Sequence, residues 1–205
     1  MKVLNTVIDE NNGALKVVYG VGGNNTKLVG ELFQQIPEGV DGILSVSPYY
    51  NKPTQSGIVA HFTYLSTCTD LPIILYNVPG RTASNMTAST SLKLAEIDNI
   101  VAVKEASGDM DQIMEIIRLK NDDFGVLSGD DALTMPITLC GGEGVISVVA
   151  NAFPKLFSEM VSSSMIHKVD QAKKIHYDFL DVDKIIEEKT QKSVRCALQF
   201  YFTPA

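Results

Sequence analysis

The sequence has few of the features that commit a chain to nucleic acid, lipid or metal. It carries only 17 Lys and Arg against 24 Asp and Glu, a formal net charge of −7, so it lacks the basic face on which a phosphate backbone would sit. No run approaches the roughly 20 apolar residues that span a bilayer, and the stretch Lys2–Asn12 lacks the apolar core of a signal peptide. The expected compartment is the cytoplasm, with neither membrane nor nucleic acid as partner. The three cysteines, Cys68, Cys140 and Cys196, are odd in number and far apart. They are expected to be reduced, buried small residues and not a disulfide or zinc set. His61, His167 and His176 fall in helical stretches with no ligand spacing, so no metal and no cofactor is expected. Nucleotide fingerprints are missing too. Gly20-Val-Gly22-Gly23-Asn-Asn25 places asparagine where a dinucleotide loop needs its third glycine, no acidic residue follows convincingly, and there is no P-loop.

What is present is an ordinary globular composition, 45% hydrophobic and 20% charged over 205 residues. That suits one domain or a large part of a bigger one. Short apolar runs at Val17–Gly20, Gly42–Val46, Leu71–Tyr76, Ile100–Lys104, Phe124–Leu127 and Gly144–Val148 alternate with helical patterns. Thr87 and Asp109 stand as N-caps, Pro136 interrupts one helix, and Pro154 can open another. Alternation at this interval means a parallel α/β sheet. A (β/α)8 barrel is favoured over an open doubly wound sheet because the unusual polar residues follow successive strands, where barrel active sites assemble. Only six strands are counted, and the chain opens in what should be the end of a helix. The expected architecture is an incomplete barrel lacking its first two strands over residues 1–152, then a helical segment over 153–205.

The candidate chemistry lies at strand ends. Lys104 closes the apolar run Ile100–Val103. A lysine there is either a snorkelling side chain or an amine nucleophile for carbonyl substrates. Tyr76 could pass a proton or be a packed strand-end aromatic. Arg81, in a Pro-Gly turn, could hold a carboxylate bidentately or be a solvated loop charge. The paired Tyr49 and Tyr50 suggest a lid or subunit contact. In Ser128-Gly-Asp-Asp131 the carboxylates are expected to cap the next helix, not to bind metal. The glycines of Gly141–Gly144 either admit a ligand to backbone amides or serve a turn.

Taken in order, PYYNKP at 48–53, LYNVPGRT at 75–82, VAVKEASG at 101–108, LSGDD at 127–131 and GGEGVISV at 141–148 closely resemble the dihydrodipicolinate synthase family. That family belongs to the pyruvate-dependent class I aldolases, which include N-acetylneuraminate lyase. The resemblance covers about Val17 to Tyr177. It implies a Schiff base between Lys104 and pyruvate, and proton transfer by Tyr76. It implies that Tyr50 reaches a neighbouring subunit's site, and that Arg81 receives the carboxylate of aspartate semialdehyde. Ile146 and Gly129 match pyruvate-pocket positions, and Asn24 and Tyr49 match positions around a lysine-feedback site at a dimer interface. Pyruvate and aspartate semialdehyde are the implied partners, on the route to diaminopimelate and lysine, in a homodimer or homotetramer. The implied rivals are a sugar-acid aldolase or neuraminate lyase, and a non-catalytic remnant. The turn bearing Arg81 favours the synthase.

Two parts of the family pattern are missing. Nothing before Val17 resembles its Gly-Thr-Thr-Gly-Glu motif, and Asp181–Ala205 matches poorly, with only a faint likeness at Lys192–Leu198. A barrel without two strands exposes backbone edges. The expectation is a truncated gene product of low stability and little activity.

Overall fold

A computed structural model describes residues 2–188, with side chains through Val182. Cys196, the faint likeness at Lys192–Leu198 and the end of the 153–205 segment lie outside the described residues. By internal contacts the chain forms two compact units, the first ending at Val126 and the second beginning at Leu127.

The first unit opens with helix α1 (Lys2–Asn11), whose Leu4 is buried against Val17 and Val40. Strand β1 (Val18–Gly20) and helix α2 (Thr26–Phe33) follow, then β2 (Gly42–Val46), α3 (Gln55–Ser66) and β3 (Ile73–Asn77). A one-turn helix α4 (Pro79–Thr82) stands where a plain turn was expected, and α5 (Ala88–Leu94), β4 (Ile100–Glu105) and α6 (Met110–Leu119) complete the series. Asn25, Thr54, Thr87 and Asp109 cap α2, α3, α5 and α6, each accepting a hydrogen bond from a first-turn amide. Short polar side chains stop at these positions because they satisfy amides the helix itself leaves open.

Strands β1 to β4 pair in parallel and in chain order. Alternation divides their side chains between two faces. Ile43, Ile73, Leu75 and Val103 share one face and are fully buried, as are Ile58, Phe62 and Leu65 along one side of α3. Burying each such side chain contributes roughly 1.5–3 kcal/mol, which is why these alternating positions, and not local propensity, fix where the strands lie.

β5 (Gly125–Ser128) runs into the second unit, where Leu127 and Ser128 pair in parallel with Gly144 and Val145 of β6. Between them sits α7 (Thr134–Leu139). Pro136 does not interrupt this helix: it is the third residue, where a missing N–H leaves no bond unmade. β6 covers only Gly144–Val145, shorter than expected, because the chain turns into a 3-10 helix at Val149–Asn151. Pro154 opens α8 (Pro154–Met165), and α9 runs over Val169–Glu188. His167 lies between these two helices with a φ of 58° and not within a helix. Val149, Phe157, Met160, Phe179 and Val182 form this unit's core, and the Thr138 and Ser164 hydroxyls share a buried 2.6 Å hydrogen bond. Among the described residues no helix is long and apolar enough to cross a membrane. Cys68 is half-buried and Cys140 exposed, so neither has the buried place expected. Cys140 directly follows the last residue of α7, where the chain reaches the surface.

One buried group sets a pH dependence. His61 of α3 is 3% exposed; its Nδ1 shares a 2.7 Å hydrogen bond with the Thr26 hydroxyl and its Nε2 has no partner. Burial pushes the imidazole from an ordinary 6.5 down to about 4. The unfolded chain therefore binds a proton first, and stability falls as the pH drops from 6.5 towards 4, by roughly 3 kcal/mol when complete. Thermal melts across this range should show His61→Gln with a shallower decline than the parent. Parallel curves would remove His61 as the cause.

Candidate active site

Lys104 and Tyr76 meet because β3 and β4 are not in simple register. Ile73 pairs with Ile100, but Ile74 pairs with Ala102, so Val101 is an extra residue. A one-residue shift exchanges the two faces of a strand. Beyond this bulge Tyr76 lies opposite Lys104, on the face shared with Leu44 and Val46, and Asn77 lies opposite Glu105 on the helix-covered face. Without it, Tyr76 would face Val103. The Lys104 side chain is 8% exposed, and its Nζ stands 4.4 Å from the centroid of the Tyr76 ring. The amine is over the ring face, where the aromatic quadrupole attracts a cation.

A cavity of about 370 Å³ opens beside Tyr76, lined also by Gly20–Gly22, Leu44, Val46, Tyr49, Val78, Arg81 and Thr82. Its wall depends on Gly22, where an added Cβ would come within 2.6 Å of Val46 Cγ1 and 3.1 Å of the Val46 amide nitrogen. Arg81 sits in α4, which ends at Ala83 in the left-handed region (φ 57°) and is tied by the Thr82 hydroxyl donating to the carbonyls of Val78 and Ser84. Burial raises the phenol of Tyr76 above its ordinary value of 10, and the Arg81 guanidinium partly offsets this.

Tyr49 and Asn24 are joined, the Asn24 amide donating to the Tyr49 carbonyl at 3.3 Å. Tyr50 is 87% exposed, with φ at 72°, and Lys52 also has a positive φ of 46°. Left-handed backbone at bulky residues is strained, by roughly 1–2 kcal/mol each. The Tyr50 amide donates to the Thr82 carbonyl at 3.4 Å, so this strained loop abuts the turn bearing Arg81.

Sequence reasoning passed over the other face of the same strand ends. Glu105 is fully buried; its Oε1 accepts from the Asn77 side-chain amide at 2.9 Å and from the Ser107 amide at 3.1 Å, and its Oε2 accepts from Gln112 at 3.1 Å. Asn77 also donates to Asn85 Oδ1 and accepts from the Met86 amide. Burial raises the Glu105 carboxyl above the usual carboxylate range, against these donors. The available signal was a glutamate immediately after the lysine of an interior strand, a residue almost never buried unless partnered.

Ile146 and Gly129 belong to the second unit. Both are half-buried, and the Ile146 amide donates to the Ser128 carbonyl at 3.0 Å. Neither aspartate of the Ser128–Asp131 stretch caps α7, whose N-cap is Leu133. Asp130 turns back to its own backbone, accepting from the Ala132 amide, and Asp131 Oδ2 accepts from the Val148 and Val149 amides. Asp131 therefore serves the start of the 3-10 helix, where two open amides meet one oxygen. Gly141 and Gly144 have positive φ, of 106° and 151°, which supports their turn role. Among the described residues no group of three or more His, Cys, Asp or Glu could hold a metal ion.

Residues 1–201 match the profile of the dihydrodipicolinate synthetase family. The chain belongs to that family. The match extends past Val17–Tyr177 at both ends, wider than the loop motifs alone reach. A dihydrodipicolinate synthetase relative, the 4-hydroxy-tetrahydrodipicolinate synthase of Flavobacterium psychrophilum, is 48% identical over 196 residues, which are 94% of this chain and 67% of the relative. The enzyme of that name from Parabacteroides distasonis is 47% identical over 186 residues, 90% of this chain and 63% of the relative. The crystal structure of dihydrodipicolinate synthase from Aquifex aeolicus superposes with a TM-score of 0.91 at 40% identity, covering 97% of this chain and 69% of that one. The chain thus spans about two thirds of the length of these relatives. Its fold is the expected one, six strands of an incomplete (β/α)8 barrel followed by C-terminal helices.

Because the Arg81 cation favours the phenolate, removing it should raise the Tyr76 titration further. Ultraviolet difference titration of Arg81→Met, referenced to Tyr76→Phe in each background, should show a higher midpoint than the parent. An unchanged midpoint would mean that the two groups do not interact.

Proposed function

We propose that this chain carries the chemistry of its family, condensing pyruvate with L-aspartate 4-semialdehyde to 4-hydroxy-tetrahydrodipicolinate in cytoplasmic lysine and diaminopimelate biosynthesis. The carrying observation is the placement of the Lys104 amine over the Tyr76 ring at adjoining strand ends, in a chain whose relatives bear that enzyme's name. The neutral amine attacks the pyruvate ketone, and loss of water leaves an imine. Its electron demand releases a methyl proton, and the resulting enamine attacks the aldehyde carbon. The semialdehyde's own amine then adds to the imine carbon and expels the Lys104 amine, closing the ring and freeing the lysine. Tyr76 is the group placed to carry protons between amine, departing water and substrate. Its raised titration suits a phenol that stays protonated until a base or imine calls on it.

Arg81, lining the same cavity, is assigned the carboxylate of the semialdehyde. Ile146 and Gly129 are assigned to pyruvate. Tyr50, exposed on a strained loop, is assigned to a neighbouring subunit's site in a homodimer or homotetramer. Asn24 and Tyr49, already hydrogen-bonded, are assigned to an interface that senses lysine. We also assign residues 1–152 to the barrel and 153–205 to a helical addition; α8 and α9 pack on one core, which also takes in Val149 of the 3-10 helix.

Borohydride reduction in the presence of pyruvate should fix pyruvate on Lys104 as a secondary amine, located by peptide mass. Lys104→Arg should abolish the adduct, and Tyr76→Phe should slow its formation on the order of 10²-fold. Parent protein that leaves Lys104 unlabelled would refute the reading and leave the non-catalytic remnant. Faster consumption of N-acetylneuraminate than of aspartate semialdehyde would favour the lyase.

A further inference from the structure

We propose that Glu105 is a positioning residue for the Tyr76–Lys104 pair, acting through Asn77 and Gln112. The proposal rests on the aldolase reading for its purpose, although not for its geometry. Glu105 and Asn77 each follow directly after Lys104 and Tyr76 and are paired with one another across β3 and β4. The Asn77 side-chain amide donates to Glu105 at 2.9 Å on the face opposite the amine, and the Ala106 amide donates to the Asn77 carbonyl at 2.8 Å within the sheet, so the two strand ends are tied twice. Gln112 of α6 donates to the second carboxyl oxygen and is itself bonded to Asn85, in the segment that follows the Arg81 turn. One carboxyl therefore holds together the strand with the lysine, the strand with the tyrosine and the segment after the arginine.

Three N–H groups converge on Glu105 here, those of the Asn77 and Gln112 amides and the Ser107 backbone, beside the Ser107 hydroxyl, which can donate as well. Three converging donors match a carboxylate and conflict with an amide, which must present N–H₂ on one side. Glu105→Gln is thus nearly isosteric and yet sets donor against donor. Exchanging the pair, Glu105→Gln with Gln112→Glu, restores an acceptor opposite a donor between the two side chains, although it forfeits the donation from Gln112 to the Met86 carbonyl at 3.3 Å, so the return is expected to be partial.

The test follows two reactivities of Lys104. These are the rate of borohydride-trapped pyruvate imine, and the pH midpoint of acetylation by trace acetic anhydride, with thermal melting in parallel. Glu105→Gln should trap pyruvate at least tenfold more slowly, with the half-saturating pyruvate concentration changed by less than about threefold. Its acetylation midpoint should move, and the exchange variant should return both values towards the parent. Parent-like reactivity in Glu105→Gln, even with a lowered melting temperature, would overturn the proposal. So would an exchange variant as impaired as the single one. If Glu105→Gln does not fold, Gln112→Met should slow trapping in the same direction by about threefold, and no change there overturns the proposal. A parent that forms no imine refutes the aldolase reading alone; a moved and rescued acetylation midpoint would then support positioning by Glu105, and an unmoved one would overturn it.

Discussion

The site depends on a slip of one residue between β3 and β4. Parallel strands place paired residues on the same face, so the face on which Lys104 emerges relative to Tyr76 is decided at Val101, three residues before the lysine. With Val101 as an extra residue, Tyr76 and Lys104 meet beside the cavity, and Asn77 and Glu105 meet beneath the helices. With regular pairing Tyr76 would face Val103, Lys104 would face Asn77, and Glu105 would face Val78, away from the donors it now meets. The bulge is thus the condition on which both the amine–phenol contact and the buried network stand.

The two faces of these strands then do different physical work. The helix-covered face buries Ile43, Ile73, Leu75 and Val103 completely, and packing of this kind supplies most of the stabilisation. The opposite face carries Gly20, Leu44, Val46 and Tyr76 around an open volume of about 370 Å³. Small or flat groups line it where the chain must leave room, and Gly22 is required because Val46 fills the space of any side chain. Loops after the strands bring the polar residues in, held by hydroxyls such as that of Thr82 and by positive φ at Tyr50, Lys52 and Ala83.

Much of this was legible in the sequence. Short apolar runs marked all six strands of the described residues, since burial on one or both faces leaves a pattern that needs no knowledge of neighbours. Thr87, Asp109 and Pro154 marked helix starts for local reasons that tertiary structure did not override. What could not be read was pairing. A bulge leaves no mark in either strand alone, because Val101 is as good a strand residue as its neighbours. The partner of Glu105 lies 28 residues away in Asn77, and Asp131 finds its amides 17 and 18 residues downstream. Local capping rules chose the nearer helix for Asp131, and the longer reach won because the 3-10 helix offers two open amides to one oxygen.

That difference between local and long-range signals also explains why a buried carboxylate belongs in a core that apolar packing already stabilises. Valine, isoleucine and leucine at alternating positions tolerate a strand sliding by two residues with little loss, because each side chain finds a similar neighbour. Hydrogen bonds do not. Asn77 and Glu105 satisfy each other only at one offset, and at any other offset a buried carboxyl and a buried amide are both left unmet, at roughly 1–3 kcal/mol for each group or more for a charge. Polar pairing therefore adds little to net stability and a great deal to the selection of one register among several. In this protein the selected register is the one that stands an amine over a phenol.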